Sequence, residues 1–219
     1  MKRTQRTPLP ILALVAVIGL SACSAGVGSN PATAPASQIS LQPPAATPLA
    51  QPPAEPASDG TTATISTALG DIVIELHTDS APVATENFIN LAEAGYYDGV
   101  IFHRLVPGFV IQGGDPTGTG TGGPGYTILD EPVVGQYGRG IVAMARTGEP
   151  NSQGSQFFIV LDDAAEQPLE SFRTYVIFGA VTEGMDVADA IAAGPNSGQG
   201  GGNQALEPVA MDSVIVSRP

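Results

Sequence analysis

Apolar and polar residues alternate through Thr62–Leu69 and again through Asp71–Leu76, with Gly70 between them. Period two is the signature of a strand with one buried face, so these two segments predict a hairpin. From Pro82 to Ala94 the period changes. Phe88, Ile89, Leu91 and Ala92 fall on one helical face, Ser80 lies just before it, Pro82 suits a first turn, and Gly95 stops it. Short apolar runs follow at Val100–Leu105 and Phe109–Gln112, with Pro107-Gly108 as the turn between them. Further strands are predicted at Gly140–Ala145, Ser155–Leu161, Tyr175–Val181 and Val209–Ser217. A second helix is predicted at Met185–Ala193, ended by Gly194-Pro195. A Gly/Thr-rich loop occupies Asp115–Gly125, and no internal repeat is present. The pattern predicts a mainly β domain: a closed antiparallel β-barrel of about eight strands with two covering helices.

The first sixty residues follow another rule. Lys2, Arg3 and Arg6 form a basic start, and Leu9–Leu20 is an apolar stretch broken only by Pro10 and Gly19. It is short for a spanning helix, which needs ~20 apolar residues, and reads instead as a signal peptide. Leu20-Ser21-Ala22-Cys23 resembles the bacterial lipoprotein box, which implies lipidation of Cys23 and a stable anchor of several acyl chains, palmitate among them. An ordinary cleavage site preceding a cysteine is the alternative. Residues 24 to about 60 are rich in Pro, Ala, Ser, Thr and Gln without apolar period, and read as a disordered or PPII-like tether. The expected division is a signal peptide at 1–22, a tether from Cys23 to residue 61, and a folded domain at 62–219. The expected location is extracytoplasmic, held to the membrane through Cys23.

Charge narrows the partners. The 219-residue chain carries −13, and removing the three cations of the leader leaves −16 with no lysine. Nucleic acid is excluded as a partner, because neutralising phosphates needs Lys and Arg. Attraction to anionic lipid is excluded on the same ground. Cys23 is the only cysteine, so no intramolecular disulfide forms. A monomer is expected.

Against this acidic background Arg104 stands out, in the run Phe102-His103-Arg104-Leu105-Val106-Pro107-Gly108-Phe109-Val110-Ile111-Gln112-Gly113-Gly114-Asp115. A cation in an apolar strand is costly unless it has a partner or a task. A carboxylate such as Asp115 or Asp98 would be a partner; a substrate would be a task. Other chemistries fit less well. Gly118-Thr119-Gly120-Thr121-Gly122-Gly123 matches G-x-G-x-x-G, but Pro124-Gly125 and a strand-like Tyr126-Thr127-Ile128 follow where the dinucleotide motif needs a helix. His77 and His103 lack metal-ligand spacing, and Ser155 lacks the second glycine of a nucleophile elbow. Neither a metal nor a cofactor is expected.

Several blocks occur in order: Glu86-Asn87-Phe88, Tyr97-Asp98-Gly99, Phe102-His103-Arg104 through Asp115, and Gly122-Gly123-Pro124-Gly125-Tyr126. After them come Met144-Ala145, Asn151-Ser152, Gly154-Ser155-Gln156-Phe157-Phe158-Ile159 and Phe178-Gly179. From about residue 62 to the C-terminus the chain resembles the cyclophilin-type peptidyl-prolyl cis-trans isomerases. The resemblance implies isomerisation of Xaa-Pro bonds, with accelerated folding of exported proteins as its use. A holdase or proline-segment binding module on the same groove is the alternative. It also implies that Arg104 is catalytic and that Phe109, Val110, Phe158 and Leu169 wall a proline pocket with Tyr175 at its edge. Phe172 is the alternative to Leu169. Gln112 and Gln156 would bind the substrate backbone or orient Arg104, and Ala145 and Arg146 would line the groove. The chain departs from the family's commonest eukaryotic form at Arg146, which puts a charge at the groove rim, and at Glu149, which lengthens its loop by one. It departs again at Pro168 and at Tyr175, reached through two extra residues.

Overall fold

The computed structural model describes residues 55–219; the expected leader, Cys23 and most of the tether lie outside them. Strands β1 (Thr62–Thr67) and β2 (Gly70–Leu76) form the predicted hairpin. Their alternate residues Ala63, Ile65, Ile72, Ile74 and Leu76 are fully buried. β1 ends two residues early because Thr67 closes the turn, its hydroxyl donating to the Gly70 carbonyl (2.8 Å) and accepting from the Leu69 amide (3.1 Å). Gly70 sits at φ +130°, a conformation open to glycine.

Helix α1 spans Pro82–Glu93. Ser80 does not cap it. Its hydroxyl bonds Ala57, and the free amides of Val83 and Ala84 donate instead to the Glu131 carboxylate at 2.9 and 2.8 Å. A carboxylate at a helix N-terminus satisfies orphan donors and complements the helix dipole. The chain packs before Thr62 as well: Asp59 N–H donates to the Thr78 hydroxyl (2.9 Å), and Pro56 abuts Gly135.

The remaining strands are β3 (Arg104–Val106), β4 (Val110–Gly113), β5 (Ile141–Met144), β6 (Phe157–Val160), β7 (Ile177–Glu183) and β8 (Met211–Ser217). The eight strands form one antiparallel sheet in the order β3-β4-β6-β5-β7-β2-β1-β8. The sheet curls into a half-barrel and does not fully close, which corrects the closed barrel expected. The reason lies at its ends. The outer edge of β3 is occupied by a loop: Leu105 N–H donates to the Asn203 carbonyl and Ala205 N–H to the His103 carbonyl, both at 2.9 Å. Among the described residues the approaches to β3 and β8 are linked by the isolated bridge of Ile101 with Ala210 and by Gly99 N–H donating to the Met211 carbonyl, and not by a continuous ladder.

Among the described residues three α-helices, not two, accompany the sheet. Besides α1 there are α2 (Glu166–Glu170) and α3 (Met185–Ala192), the latter as predicted. α2 contains Pro168 in its first turn, where no amide is needed for the helix.

Strand β6 explains how the sheet carries a site. All four of its residues are buried. Phe157 and Ile159 face the main core with Phe88, Tyr97, Phe102 and Phe178. Phe158 and Val160 face a second cluster with Val110, Tyr137, Leu169 and Ile177. A strand covered on both faces reads as a continuous apolar run, as this one does.

Candidate active site

Sheet register assembles the site. Arg104 pairs with Gln112, Gln112 with Phe158, and Phe158 with Ala143, in one row across β3, β4, β6 and β5. Side chains two residues apart share a face, so Val110 and Gln156 join this row while Ile111 and Phe157 turn to the main core. Above the row lies a cleft of ≈ 200 Å³. Arg104, Phe109, Val110, Gln112 and Phe158 form its near side, and Ala145 and Arg146 one rim. Pro168, Leu169, Phe172 and Tyr175 form the far side. Leu169 is 5% exposed and Phe172 70%, so Leu169 is wall and Phe172 is rim. Gln156 lines the adjoining cleft of ≈ 360 Å³, which meets the first across Gln112, Ala145 and Arg146.

The five arginines of the described residues divide sharply. Arg139 pairs with Asp189, Arg146 with Asp130, Arg173 with Glu170 and Arg218 with Glu93. Arg104 has no carboxylate partner, neither Asp115 nor Asp98. Its one side-chain bond is to Gln112 Oε1 at 3.4 Å. Half-buried, it is held below the ordinary guanidinium pKa by desolvation, with Tyr175 acting the other way. It remains charged at any pH compatible with folding.

A polar relay fixes this group. Gln112 Nε2 donates to Gln156 Oε1 (2.9 Å), and Gln156 Nε2 donates to the carbonyls of Gly122 (2.8 Å) and Gly120 (3.1 Å). Two carbonyls on one amide nitrogen settle which way both glutamines point, so an oxygen faces Arg104. The glycine loop is itself held by Asp115, buried completely, whose carboxylate accepts from the amides of Thr117, Thr119, Gly120 and Gly122. Burial alone would raise the Asp115 pKa; these donors, with the Thr117 hydroxyl, hold it well below the ordinary carboxylate range. A Cβ at Gly122 would overlap that carboxylate.

Arg146 stands at the groove rim with its charge met by a carboxylate. Its side chain is 9% exposed, and it bonds Asp130 (2.8 Å) and the Glu149 carbonyl (2.6 Å). Asp130 also receives Asn151 N–H and Gln153 Nε2, tying three segments of the rim together.

The far side rests on Tyr137, which sequence reasoning did not single out. Tyr175 stacks edge-on against Phe158 (5.4 Å, 86°). Its backbone is gripped by the buried Tyr137 hydroxyl, which donates to the Tyr175 carbonyl (2.7 Å) and accepts from its amide (3.1 Å). Burial pushes the Tyr137 pKa up to about 12, the Tyr175 carbonyl opposing. Tyr137 lies in a polar Gly-rich stretch with no period to mark it. His103 is buried; desolvation lowers its pKa, Asp115 opposes and Arg104 reinforces, so the ring is neutral.

Comparison with known proteins follows the same lines. The family described as cyclophilin type peptidyl-prolyl cis-trans isomerase/CLD matches residues 62–216. The Schizosaccharomyces pombe peptidyl-prolyl cis-trans isomerase ppi1 is 49% identical over 128 residues, 56% of this chain and 79% of that protein. A probable peptidyl-prolyl cis-trans isomerase A of Mycobacterium leprae is 38% identical over 175 residues, 71% of this chain and 92% of that protein. A Cryptosporidium parvum cyclophilin-type isomerase, crystallised in the presence of the dipeptide Ala-Pro, superposes with a TM-score of 0.64 at 34% identity. It covers 72% of this chain and 99% of its own.

Proposed function

Because this chain belongs to the cyclophilin-type peptidyl-prolyl cis-trans isomerase family, and so isomerises Xaa-Pro bonds and speeds folding, we propose that Arg104 is its catalytic residue and that exported proteins are its substrates. The reaction is rotation about a partial double bond with a barrier of ~18–20 kcal/mol. No bond breaks and no proton moves, so neither a nucleophile nor a general base has work to do. In the twisted transition state the amide resonance is lost and the prolyl nitrogen regains a lone pair. A donor aimed at that nitrogen stabilises the twisted form more than either planar isomer, which is differential binding.

Arg104 suits this role because its charge is permanent and uncancelled. The carrying observation is that it alone, of five arginines, faces the apolar cleft without a carboxylate. Phe109, Val110, Phe158, Leu169 and Tyr175 hold the proline ring, and Gln112, with Gln156 behind it, orients Arg104. The backbone at Ala145 and Arg146 takes the preceding residues. That the Cryptosporidium protein was crystallised in the presence of the dipeptide Ala-Pro supports a proline-containing ligand for this chain.

The domain works outside the cytoplasm, anchored by lipid on Cys23 and spaced from the membrane by its proline-rich tether. This rests on the basic start, the apolar stretch and Leu20-Ser21-Ala22-Cys23. Mass analysis of membrane-extracted protein should find acyl chains on Cys23; an unmodified cysteine overturns the anchor.

The activity test compares wild type with Arg104→Ala on an Xaa-Pro peptide. One preorganised donor is worth about 10²–10³ in rate, so the variant should lose about that much while keeping its fold. Equal activity in both would remove Arg104 from the mechanism. A wild type that binds proline peptides without turnover would favour the holdase reading.

A further inference from the structure

Reading the cleft as the proline site leaves Phe172 without a task. It is 70% exposed, yet it sits on the cleft's rim, and among the described residues its ring stacks on no other. A large aromatic held in water forgoes the benefit of burial.

The turn that carries it is pinned. Arg173, the next residue, has φ +37°, a region that non-glycine residues seldom occupy. Its guanidinium bonds the Glu170 carboxylate at 2.5 and 2.7 Å and the carbonyls of Val133 (3.2 Å) and Gly135 (3.0 Å). Strain of this kind persists only where surrounding bonds fix it, and it gathers at sites of recognition. A mobile turn would let Phe172 fold down; this one holds it at the mouth of the cleft.

A peptide with its proline in the cleft has two flanks. One enters the second cleft past Gln112, Ala145 and Arg146, which line both. Phe172 and Pro168 line only the first. We propose that Phe172 is a specificity-determining residue: it contacts the side chain beside the substrate proline, on the flank away from the second cleft, and favours an apolar or aromatic residue there. This rests on the cleft being the proline site.

Two peptide series test it, one varying the residue before the proline and one the residue after, through Gly, Ala, Leu and Phe. Wild type should prefer Phe over Gly by about three- to tenfold, the yield of one aromatic contact, and only in the series that varies the residue after the proline. Phe172→Ala should abolish that preference, Phe172→Leu should keep part of it, and Arg173→Ala should weaken it by freeing the turn. Preference before the proline, in both series or in neither, or an equal loss on every peptide in Phe172→Ala, overturns the proposal. A folded wild type inactive on every peptide defeats the isomerase reading as well, whereas one active on all without flank preference defeats this inference alone.

Discussion

Tyr137→Phe removes one oxygen and should separate binding from catalysis. The lost hydroxyl makes two bonds, both to the Tyr175 backbone, at 2.7 and 3.1 Å. Each bond contributes about 0.5–1.5 kcal/mol net, so the variant should lose about 1–3 kcal/mol of stability. The ring itself, fully buried, keeps its packing in phenylalanine. The effect on function follows from what Tyr175 touches. It braces Phe158 and lines the far side of the cleft, while Arg104 is held from the near side by Gln112. Loosening Tyr175 should weaken proline-peptide binding by about two- to fivefold, a fraction of one hydrogen bond, and leave the rate of bound substrate nearly unchanged. Urea melts give the stability loss, peptide titration gives Kd, and exchange spectroscopy of bound peptide gives the rotation rate. A rotation rate that falls as far as affinity, or a stability change under about 0.5 kcal/mol, would refute the assignment of Tyr137 as a brace for the far wall.

Two further outcomes follow from the polar groups. Gln156→Leu frees the Gln112 amide to turn, so kcat/KM should fall about three- to tenfold with Kd little changed, as for one lost orienting hydrogen bond; an unchanged kcat/KM would break the relay from the glycine loop to Arg104. The second concerns pH. Desolvation depresses the pKa of both His77 and His103, against Glu75 and Asp115 respectively. The folded state thus holds them neutral while the unfolded chain protonates them near ~6.5. Their contribution is complete above that value and is lost as pH falls through it toward the depressed folded values. Urea midpoints should therefore drop between pH 7.5 and 5.5, a window above the one in which Asp115 acts; a flat midpoint would contradict neutral burial.

The near side of the site was legible because it is local. Arg104, Gln112 and Phe158 lie on strands whose apolar runs are plain in the sequence, and register then brings them into line. The far side depended on contacts that sequence does not display. α2 is five residues with a proline inside, too short for a helical period. Tyr137 and Arg173 act through backbone atoms 38 to 40 residues away. Asp130 neutralises Arg146 from sixteen residues back, and Glu131 caps a helix that begins nearly fifty residues earlier. The open sheet escaped prediction for a related reason. Whether edge strands meet depends on the loop near Asn203–Ala205, which looks in sequence like any Gly-rich connection.

The pairing of four arginines has a consequence for the rate at which substrates arrive. The described residues carry 21 carboxylates and five arginines, and four of those cations are each spent on a neighbouring acid. What an approaching chain meets at a distance is a negative field with one unpaired positive group, on the near side of the cleft. Basic unfolded segments are drawn in, acidic ones are slowed, and added salt narrows the difference between them. Association rates of basic and acidic Xaa-Pro peptides should therefore differ at low ionic strength and converge as salt is added.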